Sequence, residues 1–515
     1  MNTPLDRRRF LALGGGTAAA ALTASHWASA STDTPVHSGP VPDGVFRLGV
    51  ASGDPLPDRV VLWTRLAPQP LALDGLGGMP DRRVPVQWQV SRDESFTQVV
   101  RAGATMADPA DAHSVHVDVA GLEPARWYYY RFRSGSELSP VGRTRTAPAP
   151  GAAVNRLNFA FASCQNYPAG YYTAHANLAR EDLDVAFHLG DYIYEGGGQS
   201  KLGRGHVPNH EIRSLADYRV RHAQYRTDDN LQAVHAAFPW VVTWDDHEVE
   251  NNWAGDDSDP DSPVEEFLAR RASAFKAYWE HMPIRANRAP HGPHMTLYRG
   301  FTFGALATFN VLDTRQYRSD QVACKQADCA DAFDPARTML GDEQEAWLFA
   351  RLRESRTRWN VLAQQVPLFE DPNVGQPSDK WEGYRASRAR LLDVFAEERV
   401  GNPVVLTGDV HKNFAADLKL DWDDPAAPAV GSEFVGTSIS SGGDGTSVTR
   451  YDPDPANPHI KFENSGDRGY VRLSMSDVEL RADYRVVDTV ERPESGVRTL
   501  ASFRVEAGTP GIRRG

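Results

Sequence analysis

The sequence predicts an α/β body preceded by an all-β module, on three observations. Between residues 44 and 146, short runs alternate apolar and polar positions and are separated by turn signals. Beyond residue 154, short apolar runs alternate with amphipathic stretches, the texture of strands and helices in an α/β unit. Four of those apolar runs end directly in metal-ligating residue types, at the position where open α/β sheets carry their ligand sites.

The first thirty residues read as a targeting peptide. Arg7-Arg8-Arg9-Phe10-Leu11 leads into the small-residue run Ala12 to Thr23, and Ala28-Ser29-Ala30 fits a cleavage site. Paired arginines before Phe-Leu resemble a twin-arginine signal, which implies the twin-arginine export machinery as a partner and a periplasmic or secreted location. The remaining length suits two or three domains with a large core. No later apolar stretch is long enough to span a bilayer. The formal charge is −13, and removing the signal takes away three arginines and one aspartate, a net +2, leaving −15. So acidic a chain makes no stable nucleic-acid partner, and an anionic substrate has to be drawn in by local cations.

In the all-β module, Val86, Trp88 and Val90 alternate with polar residues, as do Val115, Val117 and Val119. Tyr128, Tyr130 and Phe132 do so again after the turn Gly121-Leu122-Glu123-Pro124, a pattern similar to a fibronectin type III or immunoglobulin-like sandwich. Residues 147–153 are linker-like, rich in Ala, Pro and Gly. The catalytic body is expected over 154–505, with a Gly/Pro-containing tail at 506–515.

The first strand of that body, Leu157 to Ala162, ends in Ser163-Cys164-Gln165. The second, with Val185, Ala186, Phe187 and Leu189, is broken by Gly190 and followed by Asp191 and Tyr194; a Gly- and His-rich loop over 195–210 is expected to overhang the site. The third, Phe238 to Trp244, empties into Asp245-Asp246-His247-Glu248, with Asn251 and Asn252 close behind. An acidic loop of Asp256, Asp257, Asp259 and Asp261 reads as solvated surface. Ser262-Pro263-Val264-Glu265 is a capping box that opens a helix, with Val264, Phe267, Leu268, Phe275, Tyr278 and Trp279 mostly on one face. Two strands follow between Leu297 and Leu312, ending at Asp313 to Arg318; Arg315 and Arg318 are candidates to grip phosphate oxygens. A helix opening at Asp342 and Glu345 precedes a strand from Trp359 that carries Gln364 and Gln365. A helix over roughly Gly383 to Glu398 comes next, then a strand from Pro403 ending in Gly408-Asp409-Val410-His411. The segments Glu433 to Ser440 and Tyr470 to Val487 are β again.

The ligand types divide by hardness. A thiolate, a phenolate and an imidazole suit a transition metal, and phenolate favours Fe³⁺. Aspartate and asparagine oxygens suit Ca²⁺, Mg²⁺ or Mn²⁺. Two adjacent cations acidify a water and compensate charge during displacement at phosphorus. Of the three cysteines, Cys324 and Cys329 are spaced for a small disulfide in an oxidising compartment, and a metal explains the odd Cys164. His247 is a candidate general acid.

Taken together, Ser163-Cys164-Gln165, His188-Leu189-Gly190-Asp191-Tyr192-Ile193-Tyr194-Glu195, Trp244-Asp245-Asp246-His247-Glu248 and Leu406-Thr407-Gly408-Asp409-Val410-His411 resemble the PhoD-like alkaline phosphatases. The resemblance implies a metallophosphatase core of two sheets flanked by helices, Fe³⁺ with Ca²⁺, and hydrolysis of phosphate mono- and diesters. It implies that Cys164, Tyr194 and His411 hold iron, that Asp191 bridges, and that Asp246 and Asp409 face calcium, with Asp245, Asn251 and Asn252 as further oxygen donors. Oxygen ligands stand where the wider metallophosphoesterase pattern has histidines, which argues against two zinc ions. Gln364 or Gln365 falls near that pattern's middle histidine. The alternatives are a phosphodiesterase of the same fold with a different metal pair, and a non-catalytic envelope-binding protein.

Overall fold

In the computed structural model, which describes residues 40–258, 263–322, 329–371, 379–397, 400–446, 448–451 and 457–515, two large sheets face each other. The signal peptide, Asp259, Asp261, Ser262 and Cys324 lie outside the described residues. Cys329 is disulfide-bonded, and Cys164 is a free, buried thiol.

The first sheet has ten strands. At its centre Leu157–Ala162, Val185–His188 and Pro239–Val242 run parallel. The second has eight, and Ala307–Val311, Trp359–Ala363, Pro403–Thr407 and Ala429–Val435 form its parallel centre. Their facing sides are lined by Phe159, Phe161, Phe187 and Val241 on one side and Phe309, Val361, Leu406 and Phe434 on the other, all fully buried. Strands buried on both faces read as continuous apolar runs, which is why they were visible in the sequence. The outer face of the first sheet is covered by the helices Thr173–Leu178, Leu215–Arg226, Asp229–Ala237 and Val264–His281. The outer face of the second is covered by Gly341–Glu354 and Arg385–Phe395. The expected two-sheet sandwich flanked by helices is therefore present. Among the described residues, no helix is long and apolar enough to cross a membrane.

The all-β module is joined to this body more closely than its sequence suggests. Its strands Val50–Gly53, Arg59–Arg65 and Ser114–Ala120 extend the ten-stranded sheet, because Val50–Gly53 pairs in parallel with Pro239–Val242. Val84–Ser91, Val99–Ala107, Trp127–Ser134, Glu137–Leu138 and Gly142–Arg145 make a separate five-stranded sheet. Val60, Leu62, Val115 and Val119 pack with Val86, Val90, Tyr130 and Phe132 in one core. The stretch read as a linker is strapped down: the Ala147 amide donates to Leu56 O, and Ala152 O accepts from the Ala305 amide.

Two further expectations are corrected. The tail contains a strand, Thr509–Arg514, paired antiparallel with Val497–Glu506 at the end of the ten-stranded sheet. On the helix Val264–His281 the buried stripe starts at Phe267, and Val264 is exposed in the first turn.

Candidate metal centre

Parallel strands deliver all their carboxyl ends to one rim, so the loops after Ala162, His188, Val242 and Thr407 meet there. Non-glycine residues in left-handed backbone turn these loops inward: φ is 59° at Cys164, 56° at Asp191, 66° at Asp409 and 54° at His411. Such conformations are uncommon outside glycine, and they collect at functional sites. Amides lock the loops to each other. Cys164 donates to Gly190 O at 3.1 Å, Gln165 to Asp191 O at 3.0 Å, and Ile439 to Ser163 O at 3.0 Å. Both glycines of the Gly-Asp pairs sit at contacts too close for a side chain. A Cβ on Gly190 would lie 2.4 Å from that of Asp245, and one on Gly408 would lie 2.4 Å from Ser163 Oγ.

Two ligand clusters result, and they share one residue. Ligand atoms of Cys164, Asp191 and His411 lie within 4.8 Å of one another, and so do those of Asp191, Asp246 and His247. The Tyr194 hydroxyl joins the first cluster: it donates to Asp191 Oδ2 at 2.8 Å, stands 3.1 Å from His411 Nε2, and accepts from Ser441 Oγ at 2.7 Å. Asp191 Oδ1 is buried without a hydrogen-bond partner. A buried carboxylate oxygen left unpaired is costly, so a cation fits there.

The electrostatics agree. Burial pushes the Cys164 thiol well up, and the Asp191 carboxylate adds to it. Burial likewise drives Tyr194 and Asp191 up, and Asp409 to about 6. The carboxyls of Asp191, Asp245, Asp246, Glu248 and Asp409 are among those that press on one another at this rim, and a multivalent cation inverts that arrangement by favouring every ionised form. His411 is pushed down to about 4 by burial, with Arg468 adding to the effect, which leaves a neutral imidazole able to ligate.

His247 differs. Burial opposes its charge, but Glu195, Asp246 and Asp191 outweigh burial and hold it well above the usual imidazole range. Its Nδ1 is 2.7 Å from Glu195 Oε2, and its ring lies against Tyr194 with centroids 4.1 Å apart. The same Glu195 accepts the Asn251 amide at 2.8 Å. Asp246 accepts the amides of His247 at 2.9 Å and Asn252 at 2.8 Å, which places both asparagines beside the second cluster.

Arg315, expected to grip phosphate, is instead fully buried. Its Nε donates to Asp245 Oδ1 at 2.5 Å and its Nη1 to Asp379 Oδ1 at 2.6 Å. Arg318 donates to the same Asp379 oxygen at 2.8 Å. Asp245 is thus turned to an arginine rather than gathered into either cluster. Gln364 and Gln365 are braces. Gln365 Nε2 donates to Thr243 Oγ1 at 2.8 Å and its Oε1 accepts from Thr314 Oγ1 at 2.7 Å, while Gln364 Oε1 accepts the Trp381 indole at 2.9 Å. Asp256 pairs with Arg271 at 3.0 Å.

Sequence reasoning gave no role to Glu195, Glu248, Ser441 or Asp379. Glu248 takes the amides of Asp191, Tyr192 and Asp245 at 3.2, 2.6 and 2.8 Å and so ties two ligand loops together. Glu195 and Glu248 end the quoted motifs, so their position beside ligands was a usable signal. Ser441 and Asp379 carried no local signal.

Residues 159–484 match the PhoD-like phosphatase family, and residues 30–148 match the PhoD-like phosphatase N-terminal domain. Alkaline phosphatase D of Bacillus subtilis (strain 168) is 53% identical over 484 residues, covering 91% of this chain and 82% of that protein. A solved structure of PhoD superposes with a TM-score of 0.87 at 51% identity, over 92% of this chain and 93% of that one. The purple acid phosphatase PPD1 from yellow lupin (Lupinus luteus) seeds shares the fold, with a TM-score of 0.55 at 13% identity over 89% and 73% of the two chains. The chain belongs to the PhoD-like phosphatase family and is a hydrolase of phosphoric ester bonds.

Proposed function

We propose that this phosphoesterase is exported by the twin-arginine route and hydrolyses phosphate mono- and diesters at a dinuclear Fe³⁺/Ca²⁺ centre. The observation that carries the reading is the pair of clusters sharing Asp191, one with a thiol, a phenol and the His411 imidazole, the other with the Asp246 carboxylate and the His247 imidazole. Cys164, Tyr194 and His411 would hold iron, Asp191 would serve both ions, and Asp246 and Asp409, with Asn251 and Asn252, would supply the calcium side. A cation pair held there supplies an acidified water and charge compensation at phosphorus. His247, charged and oriented through Nδ1 by Glu195, has Nε2 left to donate a proton to the departing oxygen. Arg315 is a positioning residue that holds Asp245 and Asp379.

Metal analysis of protein purified without chelator, combined with turnover of one monoester and one diester with and without calcium, tests this. One iron per chain with calcium-dependent activity is expected. Zinc or manganese at two per chain, without iron, ends the assignment and favours the same-fold phosphodiesterase with a different metal pair. Absence of turnover favours the non-catalytic envelope-binding alternative. A visible Fe³⁺–tyrosinate absorption is expected in the native protein, and Tyr194→Phe should bleach it.

A further inference from the structure

Ser441 touches the Tyr194 oxygen without being a ligand type for iron. It lies in the loop after Ala429–Val435, a strand of the parallel centre of the second sheet, and is fully buried. Its surroundings hold it on several sides. The Ser441 carbonyl accepts from Ser438 Oγ at 2.8 Å and from Arg468 Nε at 2.9 Å. The Ser441 amide donates to Cys164 O at 3.3 Å, and its Oγ accepts the Asn166 amide at 3.1 Å. Ser440 Oγ ties the same turn to Asn166 O at 2.8 Å. Arg468 also donates through Nη1 to His411 O at 3.3 Å, so one guanidinium fixes both this serine and a residue of the first cluster.

The hydroxyl of Ser441 has a single proton to give, and two acceptors stand within reach, Cys164 O at 2.8 Å and the Tyr194 oxygen at 2.7 Å. The carbonyl does not depend on that proton, because the amides of Ser440 and Ser441 reach it at 3.4 and 3.3 Å. The Tyr194 oxygen does. As a free phenol it donates to Asp191 Oδ2 at 2.8 Å. As a ligand it has no proton and only accepts. Its other polar neighbours then offer nothing: Asp191 is an acceptor, and His411 Nε2, 3.1 Å away, presents a lone pair when it too is a ligand. Among the described residues, Ser441 is the donor left to a phenolate at this position. A hydrogen bond to an anionic oxygen is the stronger of the two on offer.

We infer that Ser441 is a positioning residue that gives its hydroxyl proton to the Tyr194 oxygen and so sets how strongly that oxygen donates electrons to the metal. The inference rests on the reading of Tyr194 as a metal-bound phenolate. A hydrogen bond withdraws electron density from the phenolate, which weakens it as a donor and raises the energy of phenolate-to-Fe³⁺ charge transfer; partners behind the ligands tune a centre in this way.

The test uses the full chain purified without chelator, read by absorption spectroscopy, iron quantification and resonance Raman scattering. Ser441→Ala should keep iron at the wild-type level and move the tyrosinate band to longer wavelength. Ser441→Thr keeps a hydroxyl and should return the band toward its native position. In the unsubstituted protein, transfer to D2O should shift the tyrosinate C–O stretch, and Ser441→Ala should abolish that shift. A band left in place in iron-replete Ser441→Ala overturns the inference. So does loss of iron with the band of the remaining fraction unmoved, because Ser441 would then only strap the Cys164 loop. If Ser441→Ala does not fold, the unsubstituted protein decides, and absence of the isotope shift overturns the inference. Failure of the underlying reading shows separately, as a native protein without a tyrosinate band or with one that survives Tyr194→Phe, and either result overturns the inference as well.

Discussion

Glu195 spends one carboxylate on two tasks, orienting the His247 imidazole and anchoring the Asn251 amide. Glu195→Gln keeps the size of the side chain and removes the charge that holds His247 protonated. A fall in kcat of about 100-fold is expected, within the range of a lost general acid, with metal content and folding preserved. Steady-state kinetics beside metal quantification check this; equal loss of metal and activity would assign Glu195 to holding the centre together. At this scale Cys164, Asp191, Tyr194, Asp246 and His411 were legible because each follows a short apolar run and belongs to a ligating type. Arg315 was misread because sequence shows a charge and not its partner. Asp379 lies 64 residues away, and only the folded chain brings the two together.

Among the elements, the loop after Val185–His188 shows how little slack the site has. Gly190 has φ of 115°, and an added Cβ would also lie 2.7 Å from the backbone nitrogen of Asp245. Gly190→Ala is therefore strained in backbone and in packing at once. It should cost at least about 2 kcal/mol, read by urea unfolding, and lower the metal content because Asp191 is displaced. A second element-level expectation concerns the strand Ala429–Val435. Its Glu433 is buried, accepts from Thr407 Oγ1 at 2.6 Å and from the amides of Leu368 and Phe369, and burial raises it to about 7. In the unfolded chain it releases its proton near ~4.3. The folded state thus binds more protons between those values, and stability is lost as pH rises through that window. Glu433→Gln should flatten the decline in urea midpoint between about pH 4.3 and pH 7; an unchanged slope would assign the decline to another group, such as Glu382, which burial raises to about 7 as well.

Across the whole molecule, the sandwich core was readable because strands buried on both faces are apolar throughout. The union of the all-β module with the catalytic sheet was not. Pairing of Val50–Gly53 with Pro239–Val242 depends on backbone hydrogen bonds, to which sequence composition is nearly blind. Side chains reinforce the union: Arg299 pairs with Asp54 at 2.8 Å, Arg65 Nη1 lies 2.6 Å from His281 Nε2, and the Trp63 indole donates to Glu280 O at 2.9 Å. Deleting residues 40–146 strands Arg299 as a buried, unpaired charge, and breaking such a pair costs several kcal/mol. The shortened catalytic body is expected to be insoluble or inactive even when metals are supplied. A soluble, active fragment in sedimentation and turnover assays would show that the two parts are independent.

The closing strand Thr509–Arg514 has a practical reach beyond its six residues. It carries Pro510, Arg513 and Arg514 at the outermost position of the ten-stranded sheet, and proline and positive charge are what discourage one protein from zipping onto another. Trimming the chain at residue 508, as its composition invites, hands that outermost place to Val497–Glu506, a longer ribbon with Val497, Leu500 and Val505 along it. The terminal Pro and Arg residues act as gatekeepers, and their removal is expected to favour edge-to-edge stacking of one copy on another.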